Sequence, residues 1–236
     1  RLSLVDRMEA KMLEVYLSSA KQLESIGEYR PEANEIALRQ IKNVCLSYLL
    51  RASSAFHTLL AIDQFNSADN MTDQLAGLTA LVNCPHGNAD APKKEALDKF
   101  YGRWQSEQLV VNSWLTVQAC NDQAGAINRV KALMEHHAYD DTNPNKVRAL
   151  LGGFCARNPL QFHLKDGSGY QLLGDEVIRL NAINPQLASR MIAPLTQWKK
   201  FTEPRKELMR QTLQRVANAD DLSTDVYEVV SKSLQD

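Results

Sequence analysis

Excess charge is the first thing this sequence lacks. Its 27 lysines and arginines stand against 28 aspartates and glutamates, a net charge of −1, and the two signs are interleaved along the chain. A surface for nucleic acid or anionic lipid needs a basic excess or stripe, so neither partner is expected. Long apolar runs are missing too: none approaches the roughly 20 residues needed to span a bilayer, and no signal-peptide pattern is present, so no membrane partner is expected. Cysteine is sparse. The four, at 45, 84, 120 and 155, include no C-x-x-C pair. Positions 45, 120 and 155 fall inside apolar helical patterns and are read as buried free thiols in a reducing, cytoplasmic compartment. Cys84 lies in a polar stretch, where the pattern allows an exposed, reactive thiol. The alternation of a half-buried strand is almost nowhere to be found. The sequence opens on Arg1 rather than Met, and we expect it to be part of something longer.

What is present is helical periodicity. Hydrophobic residues make up 44% of the 236, enough to fill a core and to exclude wholesale disorder. Leu4, Met8, Met12, Val15 and Tyr16 recur at three- and four-residue steps, with Gly27 as a stop signal. Ile36, Leu38, Ile41, Val44, Cys45, Tyr48 and Leu49 draw a second stripe. Similar patterns follow at about 53–64, 70–83, 93–105, 108–119, 124–136, 144–156, 169–181, 185–200, 204–217 and 223–233. This predicts an all-α chain of about a dozen helices, with 83–94 as a polar loop and residues 1–236 forming one domain. Asn143, Asn158 and Asn184 each precede a proline and read as N-caps with Pro at the first helical position. Asn70 with Asp73 resembles a capping box, and Ser223 reads as the cap of the last helix. "NPNKVR" and "NPQLASR" begin 41 residues apart, within the period of about 40–47 typical of HEAT and armadillo repeats. The expected architecture is therefore an irregular α-superhelix of stacked helical hairpins, whose concave surface would bind something.

Local chemistry yields no catalytic centre. "DGSGY" at 166–170 lacks the preceding strand and the G-K-[ST] ending of a phosphate loop, and the spaced acids of a calcium loop. It reads as a turn, with Ser168 and Gln171 as a capping box. The five histidines form no H-E-x-x-H face. His136 and Asp140 could share a helix face, but a third metal ligand is not evident. No nucleophile elbow or Cys/His signature occurs. Trp104, Trp114 and Trp198 sit among apolar residues and are expected in the core.

In order along the chain, "NMTDQLAGLTALVN", "FYGRWQSEQLVVNSWLTVQA", the block from Asn143 to Phe201 and "LSTDVYEVVSKSL" closely resemble the C-terminal domain of the bacterial aminopeptidase N family, zinc enzymes that remove N-terminal residues from peptides. The resemblance covers essentially the whole chain. It implies a superhelical cap over a catalytic domain in the same polypeptide, with the zinc and its H-E-x-x-H ligands upstream and no cofactor or catalytic residue in this chain. It further implies that Arg148 of "NPNKVR", with Gln186 and Arg190 of "NPQLASR", face the chamber that takes short peptides. Gln186 would close the pocket for the first side chain and the arginines would reach along the peptide. Spacing is compatible, since Gln186 and Arg190 are four apart and share a helix face. The alternatives are a freestanding helical-repeat scaffold for a protein partner and an autonomous hydrolase using His136, His137 and Asp140.

Overall fold

The computed structural model describes residues 2–52 and 54–235. Among them every regular element is helical, as the periodicity predicts, and the chain divides into two compact units, 1–104 and 105–236.

The first unit contains α1 (Leu2–Ile26), α2 (Ala33–Leu49), α3 (Ala55–Ser67), α4 (Met71–Val82) and α5 (Asp90–Trp104). Helix α1 pairs with α2 and α3 with α4, giving two hairpins, and α4 also packs on α2 and α5. Gly27 ends α1 in the left-handed region, φ 88°, where a side chain would be strained. Gly77 lets α3 and α4 cross closely: a Cβ there would lie 3.0 Å from the Phe65 backbone nitrogen and 3.1 Å from the Ala61 carbonyl oxygen.

Helix α2 reverses the expected orientation. Of the predicted stripe, Cys45 and Leu49 are buried, but Ile36, Ile41 and Val44 are exposed, and the buried face carries Glu35, Arg39 and Lys42 instead. The reason lies in the partners these charges find. Lys42 Nζ meets Asp73 Oδ2 at 2.8 Å, and Asn43 donates to Asp73 Oδ1 at 2.9 Å. Gln64 donates to Asn43 Oδ1 and to the Asp73 carbonyl, and Tyr16 donates to Gln64 Oε1 at 3.2 Å. Glu35 bridges Arg39 and Arg30, each at 3.1 Å, while the Arg39 guanidinium lies over the Tyr29 ring. Buried charges persist only when paired in this way. Burial first, then the Asp63 and Asp73 carboxylates, push the Tyr16 phenol up to about 12, so it remains a neutral donor. In α1, Met12 and Tyr16 are buried as expected, whereas Met8 is exposed; the side chain of Leu4 lies outside the described residues.

The polar stretch 83–94 is more ordered than a loop. It holds a 3₁₀ turn at Gly87–Ala89, and α5 already begins at Asp90. His86 Nε2 bonds the Arg51 carbonyl at 3.1 Å and Asn88 donates to Thr58 Oγ1 at 3.2 Å. Cys84, allowed as an exposed thiol by its polar neighbours, is 1% exposed. Its backbone N–H still bonds the Leu81 carbonyl at the end of α4, which keeps the residue against the helix. Cys45 and Cys155 are also buried, but Cys120 is only partly so.

The second unit begins with α6 (Gln108–Ala119) and α7 (Ala126–Met134). A helix follows from Pro144 to Arg157 in three parts: α8 (Pro144–Val147), a π turn at Arg148–Gly152, and α9 (Gly153–Arg157). Beyond it lie α10 (Pro159–Phe162), α11 (Ser168–Ile183), α12 (Pro185–Met191), α13 (Ala193–Thr196), a 3₁₀ turn at Trp198–Lys200, α14 (Glu203–Ala217) and α15 (Thr224–Gln235). The single helix expected over 185–200 is thus three short elements, with a break before α13, which carries Pro194 in its first turn. Helix α11 packs on α12 and α14, and α15 on both α12 and α14. Leu150, Phe154, Phe162, Tyr170 and Leu213 are fully buried among them. Trp114 and Trp198 join this core, the latter donating to the Ser233 carbonyl at 3.1 Å. In the first unit Trp104 is only partly buried and donates to Gln74.

The buried Lys42–Asp73 pair yields a stability test. Asp73→Ala strands the Lys42 charge, and urea unfolding will show a loss of about 3–5 kcal/mol. Lys42→Met combined with Asp73→Asn removes both charges, keeps an amide oxygen to accept from Asn43, and will cost less than the single change.

Candidate functional site

Two Asn-Pro starts build the outward surface of the second unit. Asn143 Oδ1 accepts from the Asn145 N–H and Asn184 Oδ1 from the Leu187 N–H, each at 3.0 Å, with Pro144 and Pro185 opening their helices. Asn158, expected to do the same, does not. It is 1% exposed, and its amide donates to the Ala119 and Asn121 carbonyls at 3.0 and 2.8 Å. Asn158 therefore satisfies the C-terminal end of α6 rather than the start of α10.

Arg148 is the first residue of the π turn and is exposed. A π turn inserts a residue into the helical register and leaves one carbonyl without its ordinary partner. On the α6 side, the one proton of Thr116 Oγ1 is shared between the Asn112 carbonyl of its own helix at 2.9 Å and the Ala149 carbonyl of the π turn at 3.1 Å. Close approach of α6 depends on Gly153, where a Cβ would fall 3.2 Å from that of Ala119. On the other side, a Cβ on Gly152 would lie 3.7 Å from Met191 Cε and 3.8 Å from Arg148 Cβ. Gly152, four residues beyond Arg148, thus lies against Met191 of α12.

Helix α12 buries Leu187, Ala188 and Met191 and turns Gln186 and Arg190 to solvent, four residues apart on one face. Among the described residues neither Gln186 nor Arg190 has a side-chain hydrogen bond or ion pair, and Arg148 has only a 3.3 Å bond to Asn145 Oδ1. Three other arginines of this unit are paired, Arg179 with Asp141 and Glu176, Arg210 with Glu207, and Arg215 with Asp175, whereas the exposed Arg157 has no ion pair among the described residues. Two guanidinium forks without carboxylate partners, beside a free amide, are available to grip carboxylate or carbonyl oxygens of a ligand. The sequence contained each residue but not the π turn, whose local trace is the Gly152–Gly153 pair.

Other candidates resolve into structure. Asp166 Oδ1 accepts from the Ser168 N–H at 3.0 Å and the Ser168 hydroxyl at 2.6 Å, and these bonds hold its carboxyl below the usual range. Asp166, not Ser168 with Gln171, therefore organises the start of α11. Gly167 stands at φ 72°, and a Cβ on Gly169 would meet the Phe162 carbonyl oxygen at 2.3 Å. The turn is locked by backbone proximity, and Tyr170 behind it shares a 2.9 Å hydrogen bond with His163 Nδ1. His136 and His137 stack at 4.2 Å, but Asp140 turns to Thr142, accepting from its N–H and hydroxyl at 2.9 and 2.6 Å. Among the described residues no three His, Cys, Asp or Glu side chains converge on a metal position. In a cavity of about 880 Å³ lined by Lys131, Glu135, Tyr139, Asp141, Glu176 and Arg179, the arginine is paired to Asp141 and Glu176.

Comparison with known proteins identifies this surface's context. Residues 1–235 match the family described as "Domain of unknown function (DUF3458_C) ARM repeats". The chain belongs to that family. It is 38% identical to Aminopeptidase N of Escherichia coli (strain K12) over 88% of its own length, and 35% identical to Aminopeptidase N of Caulobacter vibrioides, also over 88%. It spans only about a quarter of those relatives, 23% and 24%, and corresponds to their C-terminal part. A solved structure, Legionella pneumophila aminopeptidase A in complex with aspartic acid, superposes with a TM-score of 0.85 at 33% identity, covering 99% of this chain and 27% of that one. The similarity to bacterial aminopeptidase N and the all-α, armadillo-type fold are thus both supported from outside the chain.

The His163–Tyr170 pair sets a pH dependence. Burial first, then the Arg205 guanidinium, hold His163 below its usual value, and burial with His137 does the same for His136. The unfolded chain then binds a proton before the folded one as pH falls. The stabilisation is full above the free imidazole value of about 6.5 and is lost as pH drops through the folded value. Unfolding free energy followed from about pH 7.5 down to 5 will decline, and His163→Gln will flatten part of that slope.

Proposed function

We propose that this chain acts as one helical cap domain of a zinc-dependent aminopeptidase, covering a catalytic domain in the same polypeptide and narrowing the chamber that admits short peptides. The single observation that carries this reading is that Arg148, Gln186 and Arg190, on two Asn-Pro helices, are exposed and unpaired with any carboxylate among the described residues. The zinc and the hydrolytic step belong to the remainder of the polypeptide. Within the chain, Gln186 closes the pocket that receives the first side chain, through an amide that accepts and donates without adding charge. Arg190 and Arg148 reach the peptide beyond the scissile bond, where a planar guanidinium can hold a carboxylate or carbonyl by paired hydrogen bonds. The aspartic acid held in complex by the Legionella pneumophila aminopeptidase A agrees with an amino-acid-sized ligand in that relative.

The test uses the full-length polypeptide that contains this chain. Gln186→Ala opens the pocket and shifts side-chain preference by tens of fold at most, since one methylene of fit is worth about 1–3 kcal/mol. Arg190→Ala spares single-residue arylamides and lowers kcat/KM for di- and tripeptides tenfold or more, the loss of a charge-assisted bond of about 1.5–3 kcal/mol. Equal losses on every substrate will point to damaged packing instead. The 236-residue chain alone will neither hydrolyse aminoacyl amides nor hold stoichiometric zinc; activity on adding zinc to the purified chain overturns the proposal.

A further inference from the structure

The outer face of α2 has no charge on it. Ala37, Ile41, Val44 and Tyr48 recur at i, i+4, i+7 and i+11, the spacing of a single helix face, with Ile36 alongside. Ile36, Ile41 and Val44 are 42, 44 and 51% exposed. Between Ile36 and Tyr48 the charged residues are Arg39 and Lys42, and both are buried on the opposite face. Scattered exposed hydrophobics need no explanation, but a contiguous uncharged ridge on a helix marks a contact surface.

Repeat physics decides what covers it. Each helical hairpin of an armadillo array buries its apolar face on a neighbour, and a terminal repeat carries a polar outer face. Helix α15 shows a mostly charged outer face: Asp225, Glu228 and Lys232 are exposed on it together with Tyr227, and Lys232 pairs with Glu228. Helix α2 has the opposite character. We infer that α2 is an internal stacking surface, covered by a preceding helical hairpin of the same polypeptide whose ridge packs into the Ala37–Ile41–Val44–Tyr48 row. The relatives are about four times as long as this chain, which leaves ample length for such a hairpin. The inference rests on the reading that this chain is part of a longer polypeptide; it does not depend on the roles given to Gln186 and Arg190.

The experiment is thiol labelling with a maleimide on Val44→Cys, in the 236-residue chain and in the full-length polypeptide, after subtracting the rate of the unsubstituted protein. Glu228→Cys is the exposed control. Covered by a hairpin, Val44→Cys reacts at least tenfold more slowly in the full-length protein, while Glu228→Cys stays within twofold. In parallel, Val44→Glu lowers the Tm of the full-length protein and leaves that of the 236-residue chain unchanged. Equal Val44→Cys rates in both proteins overturn the inference. Protection of the 236-residue chain that grows with its concentration also overturns it, because a second copy would then be the occupant. A full-length protein that keeps its substrate dependence on Gln186 and Arg190 but labels freely at position 44 sinks this inference alone.

Discussion

The buried ion pair between Lys42 and Asp73 governs the first unit. Two charges removed from water cost several kcal/mol each unless they meet in good geometry with their remaining valences filled. Here Asp73 takes Lys42 and Asn43 on its two oxygens while its backbone is held by the Asn70 cap. Gln64 and Tyr16 extend the network to α3 and α1. Because these partners all lie on one side, α2 must turn its charged residues toward α1, α3 and α4. Its apolar ridge is then forced outward. A single polar cluster thus sets the rotation of a helix and leaves an apolar row on its surface.

In the second unit the corresponding constraint is backbone satisfaction. At the π turn of Arg148–Gly152, Thr116 of α6 shares its hydroxyl proton between the Asn112 and Ala149 carbonyls. That contact needs α6 close to α9, which Gly153 permits. Asn158 fills the last carbonyls of α6 at the same seam. Arg148 opens this segment and is exposed. The outward set of Arg148, Gln186 and Arg190 is therefore built on paired backbone groups rather than on a mobile loop.

Legibility followed the range of the forces involved. Asn143, Asn184 and Asn70 were readable as caps because a cap is a bond between residues two or three apart. Asn158 has the same neighbours but bonds to carbonyls 37 and 39 residues away, and local pattern could not announce that. Cys84 looked exposed from its polar neighbours, whereas its burial comes from the end of α4 and the helices around it. Among the site residues, Gln186 and Arg190 were legible as a pair because four residues of helix put them on one face.

By itself the sequence determined that this chain is helical, where most helices start, and that no charge excess suits it to nucleic acid. These properties follow from periodicity, caps and composition, all carried by neighbouring residues. Tertiary structure decided which face of α2 is inside, because the balance between a buried ion pair and an apolar ridge depends on partners in other helices. It also decided how the π turn that Arg148 opens seats on α6, since that contact depends on Gly153 and on Thr116, 33 positions away from Ala149.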